Sequence, residues 1–259
     1  MPGVGIPPIE EHLPPILKRN YGKWLDHEII APGVMKHISE SGEECYTVRA
    51  AMPINARIST ETVLKICDLA DQYSDGYFRI TTRNSLEFVG VKKEKVNELI
   101  NKLKVLGFPV GGIGNTLHQI ITCTGWLHCQ MASTDAPGIG KAIADILFEY
   151  YTKELPGRLR VSVSGCINQC GEGSTADIGV IGVRRDIPRV NHQKMKLCEI
   201  PTLTALCPTA AIRPITINGI KSIEISKERC IYCGYCSYNC EAVEIGDSKT
   251  DGVAILVGG

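Results

Sequence analysis

The 259-residue sequence carries no charge excess, because 28 lysines and arginines balance 28 aspartates and glutamates. No global field is therefore available to draw nucleic acid or an anionic membrane, and any anion site must be argued residue by residue. The opening stretch, MPGVGIPPIEEHLPPILKRN, lacks a basic segment followed by an unbroken apolar run, and no later run is long enough to span a bilayer. These absences predict a cytoplasmic chain with no nucleic acid partner and no membrane span of its own. A dinucleotide loop is missing too. PVGGIGNT falls short of GxGxxG and no convincing helix pattern follows, so it reads as a Gly-rich turn.

Cysteine is abundant, with 12 residues. In a reducing compartment closely spaced thiols read as metal ligands rather than disulfides. Cys230-x2-Cys233-x2-Cys236-x3-Cys240 has the spacing by which bacterial ferredoxins hold a cubane cluster, and Cys207-Pro208 supplies the distant fourth thiolate. Zinc is the competing occupant, but zinc ribbons favour two separated Cys-x2-Cys knuckles over three cysteines at successive x2 spacings. Cys240 has no second triplet to complete, and Glu241 stands where proline is usual, so it reads as no ligand. Cys198, Cys45 and Cys67 read as small buried hydrophobes. A second set pairs Cys123-x5-Cys129 with Cys166-x3-Cys170, both pairs at the ends of predicted elements.

Residues 1–36, interrupted by Pro7-Pro8, Pro14-Pro15 and Pro32-Gly33, predict an extended arm with a short helix near 16–24. Residues 37–110 follow the order β-α-β-β-α of a split-βαβ, ferredoxin-like half domain. Its strands are 45–51, 77–82 and 86–91; its helices begin at a Ser59 cap and run over 93–106 to Gly107. Residues 111–196 predict an α+β cluster-binding domain with a helix over 139–154 and strands at 159–164 and 178–183. Residues 197–259 predict a small ferredoxin-type module. The whole reads as α+β. A final apolar strand at 253–257 with nothing to cover it reads as a truncated sequence.

The contexts CTGWLHC and SGCINQC resemble the sulfite and nitrite reductases that couple a cubane cluster to sirohaem. RNYGKW, APGVM, YTVRA, ITTRN, FPVGGIGN, STDA, CEIPT, CPTAAIRP and the terminal VGG resemble, in order, the beta subunits of dissimilatory sulfite reductase. That resemblance implies reduction of sulfite towards sulfide, or its reverse, with sirohaem and two 4Fe-4S clusters as cofactors. It implies Cys123, Cys129, Cys166 and Cys170 on the sirohaem-coupled cluster, with Cys170 also bridging to the sirohaem iron. Cys207, Cys230, Cys233 and Cys236 would hold the ferredoxin-type cluster. Arg49, Arg158 and Arg160 would face substrate or sirohaem, and Arg83 would hold sirohaem carboxylates. The implied partners are an alpha subunit in an alpha2beta2 assembly and a small sulfur-carrier protein as co-substrate.

A small dianion and a carboxylate-rimmed macrocycle call for fixed guanidinium donors. Arg158 and Arg160 share one face of the predicted strand that enters Cys166, whereas Arg184 and Arg185 read as surface charge. Typical beta subunits carry HTQGW and a doubled cysteine where this chain has Thr122-Cys123-Thr124-Gly125-Trp126 and Gly165-Cys166. Those pairs resemble the alpha-subunit spacing. His118 stands where competent relatives carry arginine, which points to an arginine from a partner chain, and His128 carries no catalytic weight. Two other readings stay open: an electron-transfer iron–sulfur protein without sirohaem, and a sirohaem nitrite reductase.

Overall fold

Strand-forming runs with one apolar face build the first half of the molecule. The structure, a computed structural model, describes residues 5–245 and 251–258. The first residues of the expected arm and the final Gly259 lie outside them. Contacts group the chain into two units, one of residues 1–120 and 143–160, the other of 121–142 and 161–259.

In the first unit a short helix α1 (Pro15–Arg19) precedes strands β1 (Trp24–Ala31), β2 (Val34–Ser39) and β3 (Glu44–Ala50). Residues 24–36 are therefore no arm. β1 and β2 form an antiparallel hairpin, and the Pro32-Gly33 read as an interruption is its turn. Helix α2 (Thr60–Tyr73) starts where Ser59 Oγ accepts from Thr62 N–H, a cap that satisfies one of the helix's free donors. Strands β4 (Arg79–Ile80) and β5 (Leu86–Val91) follow, then α3 (Val96–Val105), entered through a 3-10 turn at Lys93–Lys95. The sheet order is β1-β2-β3-β5-β4, antiparallel throughout.

The apolar faces of α2 and α3 bury Ile66, Leu69, Leu99 and Leu103 in one core with Val48, Leu86, Phe88 and Val91. Each such side chain contributes about 1.5–3 kcal/mol from leaving water. The Gly-rich turn packs on this unit: a Cβ at Gly112, whose φ is +68°, would meet the ring of Tyr151 at 2.7 Å. Its glycines make room for a buried tyrosine and for a bend.

The second unit opens with β6 (Ile121–Thr122), and α4 (Ala136–Ile146) follows the first cysteine pair, starting earlier and ending sooner than the expected 139–154. β7 (Val161–Ser164) lies parallel to β6 and to β8 (Ile178–Val183). A short β9 (Arg189–Val190) leads to α5 (Ile200–Leu206), then the hairpin β10 (Ile212–Ile217) and β11 (Ile220–Ile225). Its tight turn is Asn218-Gly219, both at positive φ. Helix α6 (Tyr235–Asn239), β12 (Val243–Glu244) and β13 (Gly252–Val257) complete the order.

β12 pairs with β9, and a small core joins Met195, Leu203, Ile212, Ile223 and Val243 with the partly buried Val190. That core therefore reaches back before residue 197. β13 pairs antiparallel with β8 along its whole length, so the apolar strand expected to stand uncovered has a hydrogen-bonded neighbour on one edge. Among the described residues no helix is long and apolar enough to cross a membrane.

Candidate metal centres

The ends of two parallel strands carry the first cysteine set. Cys123 follows β6, its N–H donating to Val163 O at 3.1 Å, and Cys166 follows β7 after Gly165. Between them a 3-10 turn (Gly125–Leu127) brings Cys129 round, with its N–H on Gly125 O at 3.0 Å. The Cys166–Cys170 turn is fixed by Gln169 N–H on Cys166 O at 3.1 Å and by Gly171 N–H on the buried Ser164 Oγ at 3.1 Å. Burial pushes the Cys166 thiol up, and the charges of Cys129, Cys123 and Cys170 push it further. All four predicted sulfurs are thus brought together. Cys170 is exposed, whereas the other three are half-buried.

The second set lines one pocket whose walls include Leu203, Ile212 and Ile225, so Cys207, Cys230, Cys233 and Cys236 all border a mainly apolar space. Cys207 ends α5 and accepts from Ala211 N–H at 3.1 Å. Burial raises its pKa, but the amides of Thr209, Ala211 and Ile212 and the Thr209 hydroxyl outweigh that and lower it overall. Cys230 is raised by burial and by the charges of Cys233 and Cys207; Cys236 is pushed up to about 11 by burial and then by Cys233 and Cys230.

Groups of thiols that raise one another's pKa resist ionising together unless a cation compensates, and iron supplies that charge. N–H donors aimed at sulfur, from Gly165 to Cys123 Sγ at 3.0 Å and from Ala211 to Cys207 Sγ, are the contacts that stabilise thiolate ligands. A Cβ on Gly171 would meet Cys123 N at 3.0 Å, so this cradle closes only around glycine. Among the described residues no three His, Cys, Asp or Glu side chains converge as one metal ion needs. A cubane does not need this, because each thiolate binds its own corner iron. Both sets fit such clusters.

The predicted basic residues lie in the first unit. Arg49 on β3 donates to Glu87 Oε1 from Nε at 3.0 Å and Nη2 at 2.7 Å, and Arg79 pairs with the other carboxylate oxygen. These three line a cleft of about 620 Å³ with Met35, His37 and Thr47. Arg83 Nε donates to Gln119 O at 3.3 Å. Burial lowers the pKa of His118, which donates from Nε2 to Gly114 O at 2.9 Å, and the charges of Arg49, Arg83 and Arg158 lower it further. Three of the four predicted arginines are therefore gathered about one neutral imidazole. Arg158 is exposed and Arg160 half-buried, on either side of Leu159, which bridges to Leu117 just before β7.

Sequence reasoning missed four features. Glu87 is buried between two arginines, and its place in the mostly apolar strand LEFVGV gave no hint of pairing. His37 Nδ1 lies 2.7 Å from His27 Nδ1, and its Nε2 lies 2.6 Å from Thr47 Oγ1. Cys198 and Cys240 form a disulfide rather than sitting as separate thiols, because the fold sets their Cα atoms 5.5 Å apart. Arg184 is no surface charge: it donates to Cys233 O at 3.2 Å and Met131 O at 3.0 Å. Cys45, by contrast, is a buried thiol pushed up to about 11 by burial, as a small hydrophobe should be.

Comparison with known proteins gives a consistent picture. The nitrite/sulfite reductase ferredoxin-like half domain matches residues 37–106, and the nitrite and sulphite reductase 4Fe-4S domain matches 113–259. The dissimilatory-type sulfite reductase subunit beta of Archaeoglobus fulgidus is 41% identical over 98% of this chain and 71% of its own length. The same subunit of Nitratidesulfovibrio vulgaris is 41% identical over 99% of this chain and 70% of its own. A crystal structure of dissimilatory sulfite reductase I shares the fold at a TM-score of 0.79 and 21% identity, over 94% of this chain and 64% of that one. With a ferredoxin-like half domain followed by a 4Fe-4S domain that carries both cysteine sets, the chain belongs to the nitrite and sulfite reductase family, among the dissimilatory sulfite reductase beta subunits.

Proposed function

We propose that this chain serves as the beta subunit of a sirohaem-dependent dissimilatory sulfite reductase, carrying six electrons to sulfite on the way to sulfide, or running in reverse in sulfur oxidation. The observation that carries this reading is the gathering of two four-thiol sets in a single unit, each with N–H donors on sulfur. Cys207, Cys230, Cys233 and Cys236 would hold the ferredoxin-type 4Fe-4S cluster, which would serve as electron inlet. Cys123, Cys129, Cys166 and Cys170 would hold the second cluster, and Cys170, the exposed one, would join it to sirohaem. Sirohaem, when bound, supplies the iron at which sulfur–oxygen bonds are broken.

The chain's own residues supply charge and hydrogen bonds. Arg49, Arg158 and Arg160 hold the anion and donate to its oxygens, and Arg83 pairs with sirohaem carboxylates. His118 stays neutral among the arginines, so it adds no further repulsion between cations. Family likeness supports an alpha subunit as partner in an alpha2beta2 complex, a small sulfur-carrier protein as co-substrate, and a cytoplasmic site of action. The deciding measurement is an anaerobic absorption and paramagnetic-resonance spectrum of the complex with its alpha partner. Iron and sulfide without sirohaem bands would overturn the reading.

One observation favours a second reading. Glu87 already occupies two donors of Arg49, which reduces the charge offered to an anion and suits a pure electron carrier. That protein would show cluster signals and no sulfite turnover. A clear preference for nitrite over sulfite would instead favour a nitrite reductase on the same core.

A further inference from the structure

The end of β8 delivers a cation between the two cysteine loops. Arg184 Nη2 donates to Met131 O at 3.0 Å, two residues past Cys129, and Nη1 donates to Cys233 O at 3.2 Å, on a ligand of the other set. The packing is close. A Cβ at Gly234, which stands at φ +85°, would meet Arg184 Nη1 at 2.8 Å, so the Cys233–Cys236 loop is shaped around the guanidinium. Arg184 Nε is buried without a hydrogen-bond partner among the described residues, a cost that a merely solvated arginine avoids. A second tie runs the same way: Asn168 Nδ2, inside the Cys166–Cys170 turn, donates to Tyr235 Oη at 3.4 Å, between Cys233 and Cys236.

We propose that Arg184 is a positioning residue that clamps the two cluster-bearing loops together and raises the reduction potential of both clusters. A guanidinium keeps its charge at every working pH, and its planar fork can hold two carbonyls at once, which an ammonium holds less well. One-electron reduction adds a negative charge to a cluster, and a fixed cation in a water-poor setting stabilises that added charge. Sitting between the two sets, Arg184 favours the reduced form of each and keeps their separation constant. With both clusters bound, an electron passing from the ferredoxin-type cluster, which it would leave oxidised, to the second cluster, which it would reduce, would require no rearrangement of the loops. The inference rests on the proposed occupancy of both sites by 4Fe-4S clusters.

The test uses the anaerobic complex with its alpha partner, titrated electrochemically with paramagnetic-resonance detection, alongside iron and sulfide analysis. If the unaltered protein lacks two cluster signals, the functional reading fails and the question of Arg184 does not arise. With both clusters present, Arg184→Gln is expected to shift both potentials negative, lowering each reduced-to-oxidised ratio at fixed potential by about tenfold, or ~59 mV for one electron. The magnetic interaction between the reduced clusters should weaken as well. Arg184→Lys, which keeps the charge but not the fork, is expected to hold both potentials while weakening that interaction. Loaded clusters with unchanged potentials in Arg184→Gln, or a shift in only one, would overturn the proposal. Should Arg184→Gln fail to load its clusters, Arg184→Lys decides: potentials like the parent's uphold the proposal, whereas a fall in both, or failure to load, overturns it.

Discussion

Arg49 grips the buried carboxylate of Glu87 from directly across the β3–β5 ladder, with Nε 3.0 Å and Nη2 2.7 Å from one oxygen. Arg79 on β4 faces the same residue from the other side. Three charges in line leave the cleft with one net positive charge, held rigid by strand pairing rather than by long flexible side chains. A cation that must receive an anion while staying in place needs that kind of support.

Replacing Glu87 by glutamine should expose how much of that order is electrostatic. Removal of one partner from a buried pair leaves the other charge uncompensated, but both arginines here retain some contact with water, so the expected loss is about 2 kcal/mol. Urea unfolding of Glu87→Gln against the parent measures it. Arg79→Gln should cost less, under about 1 kcal/mol, because Arg79 is 64% exposed at its side chain. An equal loss for the two variants would contradict the assignment of Arg49 as the principal partner.

Much of this was legible where the pattern is local. β5 and β8 keep the bounds that their apolar runs predict, and Ser59 caps α2 as its position before a periodic stretch demands. β1 was not legible, because all but Trp24 of its residues are exposed and no buried face marks the strand. Cysteine spacing singled out the members of both sulfur sets that share a turn, since thiols on one turn must be close in sequence. The Cys198–Cys240 bond joins residues 42 apart and follows from the fold alone. Arg184 escaped for a related reason: a charge at a strand end reads as solvated until the loops that cover it are known.

His37 should make the first unit weaken in mild acid. Burial, and then the neighbouring His27, depress its pKa from about 6.5 to about 4. Between those values the unfolded chain binds a proton that the folded one refuses, so stability is present in full above pH 6.5 and falls as pH drops towards 4. Contact with solvent screens part of the effect, so the loss is on the order of 1–2 kcal/mol. Anaerobic urea midpoints at several pH values should show a shallower acid slope for His37→Gln than for the parent. Parallel slopes would remove His37 as the cause.

The disulfide makes two separate predictions. Closing a loop of this length restrains the unfolded chain by about 4 kcal/mol in the chain-entropy view, so thiol reductant should lower the unfolding midpoint of the parent. Cys240→Ser should show the lowered midpoint without reductant and no further response to it. Its iron content should nevertheless match the parent's, because Cys240 packs in the small core with Met195 and Val243 and is bonded to Cys198. Loss of a full cluster's iron from Cys240→Ser would instead place that residue among the ligands.

Cys170 differs from its three companions in exposure, and the difference should appear in which cofactor its loss affects. Cys123 is held by the Gly165 N–H at 3.0 Å and half-buried beside the strand ends, so Cys123→Ser should cost the first cluster as a whole. Cys170 lies on the open side of the same set, where a serine hydroxyl or water can take the vacated corner iron. Cys170→Ser should therefore retain most of that cluster's iron while losing sirohaem absorbance and the magnetic coupling between sirohaem and cluster. The measurement is iron content together with absorption and paramagnetic-resonance spectra of the anaerobic complex. Unchanged sirohaem bands and unchanged coupling in Cys170→Ser would show that a different sulfur, or none from this chain, makes the link.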